Sequence, residues 1–229
     1  MNMNTSTKIV NVWDPLVRIG HWTLVIAFFT AYFTEDDFMT QHVWAGYIVG
    51  AVVLFRIVWG FVGSKHARFS DFVYSPSSIF AYLKGLINRK PQHYVGHNPA
   101  GGAMVIALLL SLTVTVYTGL ALYAVEENSG PLAGIIANSD KSTPAISIVS
   151  TAYADEDANE NENKNEQDSS TANKKGEDFW EELHEFFANF TLLLVALHIG
   201  GVILSSYIDK EKLIKAMVTG KKEIPKDSF

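Results

Sequence analysis

One stretch constrains this chain more than any other. Residues 182–207, ELHEFFANFTLLLVALHIGGVILSSY, are apolar for long enough to cross a bilayer as a helix, yet they carry His184 and His198. The two are fourteen residues apart, and steps of about 100° bring the second to within about 40° of a whole number of turns from the first. Both imidazoles therefore leave one face, about 21 Å apart along the axis. Two histidines at two depths of a membrane helix require partners at both depths, either side chains of other helices or a large cofactor at each.

Composition narrows those partners. Of 229 residues 48% are hydrophobic, but mean hydropathy is only +0.12, as in a small membrane protein whose spans are diluted by a polar insert. Cysteine is absent. Disulfides, thiolate zinc, iron–sulfur clusters and covalent c-type haem are thereby excluded, and histidine is left as the strong metal ligand. The net charge of −6 arises from acids concentrated in one segment, and no nucleic-acid partner is expected. The first apolar run begins near Leu16 and is too long for the core of a cleavable leader, so none is expected either.

The hydropathy pattern predicts an all-α integral membrane four-helix bundle in one domain, 1–229, with spans over about 16–34, 42–63, 100–125 and 182–207. Residues 1–14 read as a short exposed tail. The 64–98 connection includes an interfacial segment, SSIFAYLKGLI. Between the third and fourth spans lies a long acidic loop, DEDANENENKNEQDSS in its second half, which has too little apolar surface to order itself; disorder is expected over about 138–176. Lys and Arg number two up to Arg18, five in the 64–98 connection and six after Tyr207, with none between the first two spans. Both termini are therefore expected on the cytoplasmic side of a bacterial inner membrane.

That orientation sorts the histidines by depth. His42 and His184 fall at the outer ends of spans two and four, His21 and His198 toward the inner side. Two bis-histidine pairs, His42 with His184 and His21 with His198, are what non-covalent b-type haem requires on facing helices of a bundle. Gly46, one turn after His42, lets a flat ring approach the backbone, and Gly20, Gly200 and Gly201 adjoin the other ligands. Arg56 follows His42 by fourteen residues on the same face. A charge at that depth is costly and calls for a partner such as a haem propionate, a role open to Arg18 as well. His97, in GHNPAGG, reads either as an interfacial cap or as a quinone or propionate contact. His66 and His93 read as loop residues, and Thr113, Thr115 and Tyr117 as packing groups.

The motifs WDPLVRIGHW, QHVWAGYIVGAVVLFRIVWG, GHNPAGGAMVIALLLSLTVTVYTGL and LHEFFANFTLLLVALHIGG resemble the bacterial cytochrome b561 family and the related b-type cytochrome subunits of nickel–iron hydrogenases. The resemblance covers the four spans and not the acidic insert. It implies two b haems on His21, His42, His184 and His198, carrying electrons across the membrane to or from the quinone pool. The expected redox partner is a periplasmic cytochrome c or another redox protein. A second reading makes the chain the haem-carrying anchor of a hydrogenase-like or other dehydrogenase complex. A third, a metal or pH sensor built on membrane histidines, involves no haem.

Overall fold

The computed structural model describes residues 7–35, 38–88, 94–135, 161–209 and 212–225. In chain order these form β1 (Thr7–Asn11), α1 (Pro15–Phe33), α2 (Met39–Val62), a 3-10 turn (Lys65–Ala67), α3 (Phe69–Phe72), α4 (Pro76–Ile87), α5 (Pro99–Glu126), α6 (Asn161–Asp209), α7 (Leu213–Thr219) and β2 (Lys221–Pro225). Four helices are long and apolar enough to cross a membrane: α1, α2, α5 and residues Gly176–Ile208 of α6. They match the four spans expected from sequence, with the acidic connection between the third and fourth. Of the insert, residues 136–160 lie outside the described residues, as does His93. From Asn161 onward its backbone is helical and continuous with the fourth span, a stretch without proline whose Glu, Gln, Lys and Ala residues carry good helix propensity.

Three helices start by one device. Asp14, Ser75 and Asn98 each precede a proline that opens the helix, and each side-chain oxygen accepts a backbone N–H of the first turn, from Val17, Ser78 and Gly101.

The chain divides into two compact units, residues 1–113 with 188–229, and residues 114–187. In the first unit α1 and α2 form an antiparallel pair. Ala45, Val49, Val53 and Gly60 make a buried stripe on α2, with Gly60 against the Phe69 ring of α3, and Ala27 and Phe28 are buried on α1. Ile19, Ile26, Leu54, Phe61, Leu110 and Ile203 stand exposed, as side chains facing lipid must be. Between helices the contacts are polar and short. Tyr32 donates to Asn189 Oδ1 at 2.8 Å, and the buried hydroxyls of Ser111 and Thr191 meet at 2.6 Å, the kind of interhelical hydrogen bond that joins spans when no hydrophobic force distinguishes helix from lipid.

The two ends of the chain depart from expectation. Residues 7–11 are not an exposed tail: β1 pairs antiparallel with β2 in the register Val10↔Lys222, and Val12 is buried. β-Branched Ile9, Val10 and Val12 suit a strand, and Gly220, at φ 79°, ends α7 in the left-handed turn that feeds β2. The ribbon brings β1 and β2 together. Beside it lie the 3-10 turn, α3 and the 94–98 loop, all in the first unit.

Candidate functional site

At the ribbon end of the first unit, His21 sits near the start of α1. Its Nδ1 is buried without a hydrogen-bond partner among the described residues, and its ring stands edge-on to Trp22 at 5.2 Å. His198 lies on α6 in the same unit. Among the described residues, and apart from the adjoining residues and backbone of its own helix, nothing comes within 4 Å of where a Cβ would stand on Gly46, Gly200 or Gly201, so the backbone there can admit the face of a flat ring.

His42 stands near the start of α2, at the other end of that helix from the ribbon. Its Nδ1 lies 2.9 Å from the carbonyl oxygen of Ala31 on α1. A carbonyl can only accept, so Nδ1 donates to it. In the second unit the same arrangement recurs at His184. Its Nδ1 lies 3.0 Å from the carbonyl oxygen of Thr115 and 3.1 Å from Thr118 Oγ1, and the Thr118 hydroxyl donates to that carbonyl. Gly119 lies against the ring: a Cβ there would stand 2.8 Å from His184 Cε1. Histidines that ligate metal are held in this way, with the second ring nitrogen fixed by a backbone carbonyl.

The expected arginines are both found in the first unit. Arg18 Nη1 donates to the carbonyl oxygen of Val218 at 2.6 Å, so the guanidinium caps the end of α7, and its Nε is buried without a partner among the described residues. Arg56 lies over Phe69 and Phe72, 5.5 and 5.6 Å from the ring centroids, with Nη1 buried and likewise unpartnered. His97 packs on the other ring of this group. Its centroid is 4.5 Å from those of Trp13 and Phe72, and its Nδ1 is a third such orphan. Burial first, then the charges of Arg56, His66, His198 and Lys222, push the His97 imidazole down to about 3, so it is neutral at physiological pH.

These residues fit haem better than a bare ion. Among the described residues no three His, Asp or Glu side chains gather to hold a metal, whereas a porphyrin supplies four nitrogens and needs only two imidazoles. Among the described residues Arg56 Nη1, Arg18 Nε and His97 Nδ1 are buried without a hydrogen-bond partner, and a propionate is a group that arginine N–H groups would bind. The sequence profile of prokaryotic cytochrome b561 matches residues 12–220.

The chain belongs to the prokaryotic cytochrome b561 family. That family comprises membrane cytochromes of the b-haem type. The chain is similar to the probable Ni/Fe-hydrogenase B-type cytochrome subunit of Bradyrhizobium diazoefficiens, 30% identical over 145 residues, 50% of this chain and 58% of the relative. The corresponding subunit of Rhodobacter capsulatus is 30% identical over 146 residues, covering 50% and 55%; that of hydrogenase 1 in Escherichia coli is 26% identical over 142, covering 49% and 60%. The chain thus spans little more than half the length of these curated relatives. No solved structure matches.

Sequence reading missed the groups that hold this cytochrome's histidines in place. Thr118 and Gly119 lie 66 and 65 positions before His184, and the carbonyls of Ala31 and Thr115 leave no trace in residue type. The only available signal was the run of small residues and threonines on a membrane helix, which packing alone also explains.

Proposed function

We propose that the protein is a two-haem b-type cytochrome carrying electrons across the membrane between the quinone pool and a redox partner on the opposite face. The observation that carries this reading is the tethering of His42 and His184, each through Nδ1 to a backbone carbonyl, which presents Nε2 as a ligand. His42 would pair with His184 at one level, and His21 with His198 at the other. Haem, when bound, supplies a one-electron iron couple.

The protein does the rest. Two imidazoles would hold each haem, which would supply electron transfer and not bond-making chemistry. Apolar helices would exclude water from the haems. Arg56, Arg18 and His97 would hold the propionates of the His21/His198 haem, and the charge of the two arginines would favour the reduced form. Lys and Arg concentrated on the ribbon side support placing both termini in the cytoplasm.

A pyridine haemochrome assay on purified protein tests this reading. It should give a b-type spectrum and about two haems per chain, and a replete preparation holding one would overturn the pairing. The names of the relatives favour a second reading, a haem-carrying anchor subunit of a hydrogenase-like complex. Co-purification with a large hydrogenase subunit would decide for it; turnover by the isolated cytochrome with quinol and a periplasmic cytochrome c would decide against it.

A further inference from the structure

Helix α4 presents three different faces around its circumference. At about 100° per residue, Tyr82 and Leu86 fall within about 40° of each other, and both are buried. Next to them, in a sector about 60° wide, come Leu83, Ile87 and Phe80. All three are apolar and exposed, Phe80 by 71% and Ile87 by 82%. Beyond these, within about 40° of one another, stand Lys84, Ser77 and Asn88, which are polar and exposed.

The buried face fixes the level at which α4 lies. The Tyr82 hydroxyl accepts from Asn98 Nδ2 at 2.8 Å and lies 3.5 Å from Ser205 Oγ. Asn98 caps the start of α5, and Ser205 stands close to the end of the fourth apolar span at Ile208, so α4 is tied where two spans leave the hydrocarbon. The exposed apolar surface of the spans continues to this level, through Phe61 and Val62 at the close of α2, Val73 before α4 and Tyr207 on α6. An apolar stripe of this kind is a liability in water, whereas a helix lying in the plane of a bilayer surface needs one. Charge agrees with that placement. Residues 76–90 contain Lys84, Arg89 and Lys90 and no acid, a balance that suits the phosphates of a phospholipid surface.

We propose that α4 lies in the membrane surface on the ribbon side, with Phe80, Leu83 and Ile87 among the acyl chains and Lys84 among the lipid phosphates. The lysine's apolar stem lets its charge reach the headgroups from a helix seated at that boundary. Lipid then holds α4, and through the Tyr82–Asn98 hydrogen bond α4 holds the first turn of α5 and the 94–98 loop that carries His97. Nothing in this arrangement requires haem.

The test uses the full-length protein, whose lack of cysteine allows one nitroxide to be placed at a time. Phe80→Cys, Ile87→Cys, Ser77→Cys and Asn88→Cys, each at an exposed position, are labelled in nanodiscs of phosphatidylcholine and phosphatidylglycerol. Power saturation then compares collision of the label with molecular oxygen, which concentrates among acyl chains, and with a water-soluble nickel chelate. The oxygen-to-nickel ratio should be several-fold higher for Phe80→Cys and Ile87→Cys than for Ser77→Cys and Asn88→Cys. Equal ratios at all four positions, whether high or low, overturn the proposal. Labels on Phe80→Cys and Ile87→Cys that neither reagent reaches overturn it too, since the stripe is then covered by protein, either a second copy or another chain. Where one of the apolar substitutions prevents folding, Leu83→Cys on the same face supplies the comparison.

Discussion

Gly119 leaves the imidazole of His184 its place: a Cβ on the glycine would stand 2.8 Å from Cε1 and 3.2 Å from Nδ1. A planar ring already tied to the Thr115 carbonyl cannot yield to that contact without losing its orientation. Gly119→Ala should therefore displace His184 as a ligand while sparing the His21 and His198 site. The expected result is about one haem per chain in place of about two, with a single redox midpoint. His184→Ala should give the same spectrum. Full haem occupancy in Gly119→Ala would show that the ring is not used as proposed.

Asp14 carries three connections at once. Its Oδ1 accepts from the Val17 N–H at 2.9 Å, and its Oδ2 accepts from Trp59 Nε1 at 3.1 Å and from the Ser64 hydroxyl, tying the start of α1 to the end of α2. Loss of the cap alone should cost about 1 kcal/mol in Asp14→Ala, with a further loss for the two contacts to α2, read as a lower thermal midpoint. Burial raises the carboxyl, but hydrogen bonds from Ser64, Val17, Trp59 and Leu16 outweigh it and hold it below its ordinary value of 3.8. A depressed folded-state value contributes stability above the unfolded value, and that contribution is lost as pH falls through the folded one. Acid destabilisation should therefore set in below about pH 4 in the wild type and be weakened in Asp14→Asn.

The pairing of β1 with β2 allows a direct test of topology. Asn11 and Lys221 are register partners, and directly opposed antiparallel residues have Cα atoms about 4.5–5.5 Å apart, within disulfide range. The chain has no cysteine of its own, so Asn11→Cys with Lys221→Cys should cross-link on oxidation without background, seen as a mobility shift on non-reducing gels. In the reduced form both thiols should react with a membrane-impermeant reagent only when the cytoplasmic face is open. Labelling in intact cells would reverse the proposed orientation.

Long apolar runs made the four spans legible, because a bilayer demands length and apolarity that few other structures share. Helical arithmetic likewise put His184 and His198 on one face of what is one continuous helix. The ribbon was not legible: two five-residue strands more than two hundred positions apart carry no local signal of their partner. Lys222 was read as a topogenic charge, yet it is 7% exposed and donates to the Tyr94 carbonyl. Arg18 shows the same limit. Its position on the helix was apparent, but not that the Val218 carbonyl would occupy one of its donors.

Arg56 gives the sharpest separation between packing and electrostatics. Its guanidinium lies against Phe69 and Phe72 with Nη1 buried and unpartnered among the described residues, an arrangement that costs stability unless an anion completes it. If that anion is a propionate of the His21/His198 haem, Arg56→Gln removes a positive charge that favours the reduced iron. One midpoint should then fall by about 50–100 mV, from a charge at roughly 8–15 Å with an effective dielectric near 20. The other midpoint should move much less. Arg56→Lys keeps the charge but not the planar fork and should retain most of the potential while loosening haem retention. Should Arg56→Gln instead raise thermal stability with both midpoints unmoved, the residue serves packing alone, and the propionate contact falls to His97 and Arg18.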